Sequence, residues 1–168
     1  MQEAFGDVRG RTLAYIGDGN NVAVSLACIC AMLGVTFVIA APSGYQLSES
    51  LFNDLRAGYS GACLSQTDDP HAAVKEADVV YTDVWASMGQ ESESTARKKI
   101  FADYRVDAKM MAVAAPGAKF MHCLPAKRGI EVTDEVLDGP QSIAFQQAEN
   151  RMHVAKGILV WLLGPDAP

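Results

Sequence analysis

A histidine and a cysteine stand side by side at 122 and 123. A proline soon afterwards stops the apolar run that carries them, Phe120-Met121-His122-Cys123-Leu124-Pro125-Ala126. A thiol next to an imidazole is the raw material of a nucleophile pair. Neighbours on a strand point to opposite faces, however, which argues against the two acting together while the strand persists. His122, Cys123 and an aspartate such as Asp83 could hold a metal, but the spaced ligand pairs of metal sites are missing. The bland reading is a satisfied structural histidine beside a core cysteine. Position favours more than that: in open α/β sheets, ligands bind outside the carboxyl ends of the strands.

Three other stretches carry chemistry of the same kind. In Gly17-Asp18-Gly19-Asn20-Asn21-Val22, a glycine pair lies between a short apolar run and a helix start, as in dinucleotide sites. The third glycine of that fingerprint would fall at Val22, and the second strand ends without an acidic residue for a ribose. A tight turn with an asparagine cap explains the glycines. An amide beside a helix N-terminus also suits a carboxylate ligand. In Asp83-Val84-Trp85-Ala86-Ser87-Met88-Gly89-Gln90-Glu91, Asp83 follows an apolar strand directly and could take an ammonium group, or simply be solvated. In Glu149-Asn150-Arg151, the guanidinium could pair with Glu149, Glu135 or Asp138, or reach an anionic ligand with its planar fork.

The elements that must position these groups alternate. Strands are expected over 13–17, 35–41, 62–66, 79–82, 119–123 and 142–145. Between them the sequence predicts helices over 22–33, 48–57, 70–77, 92–101, 107–115 and 133–137, and a long last helix over 147–163. Asn20 or Asn21 can cap the first of these, Gly34 closes it, and Pro70 suits a first helical turn. Such alternation predicts a Rossmann-like α/β fold, an open parallel sheet of about five strands with helices on both faces. No repeat or linker divides the chain, so 1–168 reads as a single α/β domain.

Composition is that of an ordinary globular protein, with 168 residues and a net charge of −6. That balance argues against a nucleic-acid footprint. No apolar run approaches the roughly 18 residues of a membrane span, and no basic, apolar leader is seen. The four cysteines match no zinc spacing, and reduced thiols in the cytoplasm are the simplest reading. Ile158 to Leu163 is apolar all round, so the last helix should be covered by a second copy or fold back onto its own sheet. The short helix at Gln2 starts without a cap, as if continuing from a missing neighbour.

Taken in order, these four motifs resemble one family, ornithine carbamoyltransferase, which moves a carbamoyl group from carbamoyl phosphate to the δ-amine of L-ornithine. The resemblance covers the whole chain but only the C-terminal, amino-acid-binding half of the family's protein. Ser87-Met88-Gly89 favours ornithine over aspartate. The resemblance implies that Asn21, with Asn20 as a second candidate, holds the ornithine α-carboxylate and that Asp83 takes the α-ammonium. Ser87 and Met88 would line the amino-acid pocket. Cys123 and the Leu124 backbone would lie between the ornithine side chain and the carbamoyl group. His122 and Arg151 would approach carbamoyl phosphate. No cofactor or metal is implied. The family's Ser-x-Arg-Thr-Arg and His-Pro-x-Gln motifs are not found in these residues, so carbamoyl phosphate would need the other half of the protein, and the resemblance implies that the final helix over 147–163 packs on that half or on a partner copy. The chain alone would then be inactive or very weak. A non-catalytic amino-acid-binding or scaffold module of the same ancestry is the alternative.

Overall fold

The computed structural model describes residues 1–85 and 94–164. The first helix, α1 (Gln2–Phe5), leads into β1 (Thr12–Ile16), α2 (Asn21–Leu33), β2 (Thr36–Ala40), α3 (Glu49–Gly58), β3 (Leu64–Thr67) and α4 (Pro70–Val74). Then come β4 (Val79–Thr82), α5 (Ser94–Ile100), a 3-10 turn at Ala102–Tyr104, α6 (Ala108–Met111), β5 (Lys119–His122), α7 (Asp134–Leu137) and α8 (Ala144–Leu163). The five strands form one parallel sheet in the order β3-β2-β1-β4-β5. This is the expected α/β architecture.

Parallel strands covered on both faces should be largely apolar, and the inner strands β1, β2 and β4 are, while the edge strand β3 (Leu64–Thr67) is mostly polar and half-exposed. Side chains alternate between two cores. Leu13, Tyr15, Phe37, Ile39, Val79 and Tyr81 pack on one face against α2 and α3. Ala14, Ile16, Val80 and Phe120 pack on the other against α4, α6 and α7. On α2 the buried stripe is Ala23, Ala27, Cys30 and Ala31, a helical spacing of small residues that seats the helix close to the sheet. Gly34 ends α2 in the left-handed region at φ 68° and returns its N–H to the Cys30 carbonyl.

Two elements differ from expectation. Residues 142–145 are not a sixth strand. Ser142 makes one parallel bridge to Phe120, Ile143 N–H donates to the Phe120 carbonyl at 2.9 Å, and helix begins at Ala144. The apolar pair Ile143-Ala144 serves strand and helix equally, so local pattern could not separate them. The apolar end of the last helix also does not fold back on the sheet, although its first turn bonds to it through Gln147. Every residue from Arg151 to Leu163 is exposed, including Val160 at 70% and Trp161 at 62%. Among the described residues, no helix is long and apolar enough to cross a membrane.

Candidate functional site

The register brings the motifs to one edge. Ile16 pairs with Thr82, and Thr82 with His122, so Gly17, Asp83 and Cys123 leave three adjacent strands at the same level. Asp83 is the hub. It is 7% exposed. Its Oδ1 accepts from the Cys123 thiol at 2.9 Å and from the Val84 amide at 2.7 Å. Its Oδ2 accepts from Asn20 Nδ2 at 3.2 Å. A buried carboxylate is tolerated only when its oxygens are satisfied in this way.

Asn20, not Asn21, is the cap of α2. Its Oδ1 accepts from the Val22 and Ala23 amides at 2.9 and 3.2 Å, and from the Tyr15 hydroxyl at 3.3 Å. The cap therefore fixes the Asn20 amide nitrogen toward Asp83. Asn21 begins the helix proper and is exposed. Gly19 is required sterically. A Cβ there would lie 2.7 Å from the Tyr45 carbonyl oxygen and 2.9 Å from the Gln46 carbonyl carbon.

Cys123 is half-buried, and its thiol is pushed up to about 12, first by burial and then by the Asp83 carboxylate. At neutral pH it is a protonated hydrogen-bond donor, which is the opposite of an activated thiolate nucleophile. Burial likewise raises the Tyr15 and Tyr81 hydroxyls, and charge on Asp83 and Cys123 adds to it.

His122 is completely buried. Its Nδ1 accepts from the Leu124 amide at 2.8 Å, and its Nε2 faces Glu131 Oε1 at 3.4 Å. With Nδ1 acting as acceptor, the ring proton belongs on Nε2, toward the carboxylate. Direct contact with carbamoyl phosphate, as the resemblance implies, does not fit a ring turned wholly inward. His122 instead holds Leu124, which sits in the left-handed region at φ 56° ahead of a cis bond to Pro125. Non-glycine residues in that region cluster at functional sites. His122 and Cys123 do point to opposite faces, His122 beside Phe120 and Cys123 with Met121 on the Tyr15 and Tyr81 side, yet they meet at the strand end. β5 ends at His122, and one ligand-type atom each of Asp83, His122 and Cys123 lie within 4.8 Å of one another. The Cys123–Asp83 hydrogen bond accounts for one of these approaches, and the His122 ring nitrogens are turned to the Leu124 amide and Glu131.

Arg151 lies on the exposed side of α8 and donates to the Cys123 carbonyl at 3.1 Å. It pairs with none of Glu149, Glu135 and Asp138; Glu149 faces His153 at 3.6 Å, while Asp138 is held by Arg128. Ser87 and Met88 lie outside the described residues.

Several participants carry no signal in the sequence. Glu131 is wholly buried, with Oε1 accepting the Lys127 amide at 2.5 Å. Arg97 is 7% exposed and donates to Asp18 at 2.6 Å and to the Trp85 carbonyl at 3.0 Å, with its guanidinium 5.0 Å from the Tyr45 ring centre. In the sequence it opens the run Arg97-Lys98-Lys99 and looks like a solvated face. The polar pairing of Asp18 could have been suspected only from its place between two glycines.

The family profile for "Aspartate/ornithine carbamoyltransferase, Asp/Orn binding domain" matches residues 9–162. The ornithine carbamoyltransferase of Trichormus variabilis is 48% identical over 166 residues, which is 98% of this chain and 54% of that protein. That of Bacillus subtilis is 48% identical over 97% of this chain and 52% of its own length. The solved ornithine carbamoyltransferase of Pyrococcus furiosus superimposes with a TM-score of 0.89 at 46% identity, covering 98% of this chain and 53% of that one. This chain thus spans about half the length of the curated relatives it matches. Profile, relatives and solved structure agree with one another and with the fold, and the chain belongs to the aspartate/ornithine carbamoyltransferase family, corresponding to its Asp/Orn-binding domain.

Proposed function

We propose that residues 1–168 are one domain, the ornithine-binding half of an ornithine carbamoyltransferase. The observation that carries this reading is the linkage of Asn20, Asp83, Cys123 and Arg151, from four separated segments, through three hydrogen bonds at one sheet edge. Ornithine presents an α-carboxylate, an α-ammonium and a distant δ-amine. The Asp83 carboxylate suits the ammonium through a charge-assisted bond. Asn21, exposed at the N-terminus of α2, suits the carboxylate, since amide donors and the helix dipole both favour an anion there. Ser87 and Met88 complete the amino-acid pocket in this reading. The δ-amine then extends toward Cys123 and Leu124.

The reaction supported is carbamoyl transfer. The δ-amine has an intrinsic pKa of about 10 and attacks only when neutral. Its lone pair forms the new N–C bond to the carbamoyl carbon, the C–O bond to phosphate breaks, and phosphate leaves with the electron pair and takes up the proton that the nitrogen sheds. A protonated Cys123 can help orient the amine without competing for the carbonyl. Negative charge grows on the carbonyl oxygen in the transition state, where a well-placed donor is worth roughly 3 kcal/mol. Arg151 is the cation on this chain for that oxygen or for the phosphate. His122 acts behind them by holding Leu124 in its turn. Carbamoyl phosphate carries several negative charges and would need the other half of the protein as well.

The exposed apolar end of α8 supports self-association, or exchange of this helix between copies. Free thiols at all four cysteines suit a cytoplasmic setting. Calorimetry with L-ornithine tests the domain, and a citrulline assay with and without the N-terminal half of a relative tests the reaction. Ornithine binding by the chain, with citrulline formed only after the second half is added, is the expected result. Absence of ornithine binding under both conditions would refute the reading. Binding with no turnover even when the second half is supplied would favour a non-catalytic amino-acid-binding module.

A further inference from the structure

The first turns of α8 carry four polar side chains in two pairs, and the members of each pair are four residues apart. That spacing puts both members on one side of a helix. Gln147 and Arg151 face the strand ends. Gln147 Oε1 accepts the His122 amide at 3.2 Å, its Nε2 donates to the Tyr81 hydroxyl oxygen at 2.9 Å, and Arg151 donates to the Cys123 carbonyl at 3.1 Å. Gln146 and Asn150 each precede one of these by a single residue, which turns them about 100° round the helix. They meet α1 instead. Gln146 Nε2 donates to Glu3 Oε2 at 2.6 Å, and Asn150 Nδ2 donates to the same oxygen at 2.9 Å.

α1 is anchored by contacts that do not involve α8. Met1 and Phe5 pack against the core that holds α2 and α3. The Arg11 guanidinium lies 5.0 Å from the centre of the Phe5 ring and pairs with Asp78 at 2.7 Å, just ahead of β4. Glu3 is therefore presented from a fixed element. Every residue of α8 from Arg151 to Leu163 is exposed, so the roll of the helix about its axis is set at its start. A roll that carries Arg151 away from β5 also carries Gln146 and Asn150 away from Glu3.

We propose that Glu3 is a positioning residue for Arg151. Through Gln146 and Asn150 it fixes the roll of α8 and so holds the Arg151 guanidinium at the Cys123 carbonyl. Glu3 touches no substrate in this scheme. What the placement of Arg151 means for catalysis rests on the ornithine reading, but the coupling of Glu3 to Arg151 does not.

The test reads the Cys123 carbonyl itself, as its carbon-13 shift correlated with the Leu124 amide in spectra of the labelled 168-residue chain. Arg151→Met marks the shift of the carbonyl without its donor. Glu3→Leu should move the signal part of the way to that mark, since Gln147 still holds the inner side. Glu3→Gln should leave it at the parent position, because both donors meet one oxygen and an amide oxygen can accept from them as a carboxylate does. Added to Arg151→Met, Glu3→Leu should move it no further, since both changes act on the same bond. A carbonyl unmoved by Glu3→Leu, moved equally by Glu3→Gln, or moved as far when Arg151 is already gone, overturns the proposal. Gln146→Leu with Asn150→Leu removes the donors and leaves α1 intact. It should reproduce the Glu3→Leu shift, and it decides alone should Glu3→Leu disturb the amides of Phe5 and Arg11. The measurement involves neither ornithine nor turnover, so its failure is separable from failure of the ornithine reading.

Discussion

The Cys123 thiol donates to Asp83 at 2.9 Å, across the gap between the ends of two neighbouring strands. This one bond joins the group expected to hold the ammonium of an amino acid to the group expected to border the transferred carbamoyl. It also makes each residue answerable for the other's chemistry.

Replacing Asp83 with asparagine keeps the size and removes the charge. L-Ornithine affinity should fall at least 30-fold, because truncating a partially buried charged partner costs about 2–5 kcal/mol. The Cys123 thiol should at the same time titrate below about 12, since burial would then act without the carboxylate beside it. Calorimetry and the pH dependence of alkylation read the two effects separately. A variant that binds ornithine as the parent does would exclude Asp83 as the ammonium partner.

Alkali should destabilise the fold by a route that has a sign. Burial raises the Cys30 thiol from 9.0 to about 12, and burial with Asp83 raises Cys123 from 9.0 to about 12. The unfolded chain therefore releases these protons first. Their contribution to stability is complete below about pH 9 and is lost as pH rises toward about 12. The buried Tyr15 and Tyr81 hydroxyls act with the same sign at still higher pH. Urea midpoints should drop across this window, and the drop should be smaller in Cys30→Ala. Equal drops in parent and variant would show that Cys30 has no part in it.

Gly19→Ala should cost about 1–3 kcal/mol, the range for inserting an atom where a rigid neighbour already sits. The neighbour here is the Tyr45–Leu47 backbone, which has no rotamer to change. Urea denaturation gives the number. Full stability in the variant would mean that the 42–47 loop yields easily.

The apolar surface of α8 should drive concentration-dependent association. Val160→Lys with Trp161→Lys places two charges on residues that are 70% and 62% exposed, so folding should be unaffected. Sedimentation should show a heavier species for the parent than for the variant at equal concentration. A parent that stays monomeric throughout would remove this helix as a self-association surface.

The inner strands β1, β2 and β4 were legible in the sequence because each is short, largely apolar on both faces and bounded by turn residues, whereas the polar edge strand β3 gave a weaker pattern. The strand–helix alternation leaves few topologies open to a parallel sheet. The Asn20–Asn21 pair, Asp83, and His122-Cys123 could be placed at strand or helix ends from sequence alone, since each directly follows or precedes a periodic segment. Which asparagine caps the helix could not be read, because both offer the same side chain and only backbone geometry chooses between them. Glu131 and Arg97 were invisible for a different reason. A charged residue is buried when polar partners come to meet it, and here Asp18 lies far from Arg97 along the chain while His122 faces Glu131 across the turn that follows β5. Pairing at such separation exists only once the sheet has set its register. The same register turned His122 inward beside Phe120 and brought Cys123, on the opposite face, level with Asp83 on the neighbouring strand.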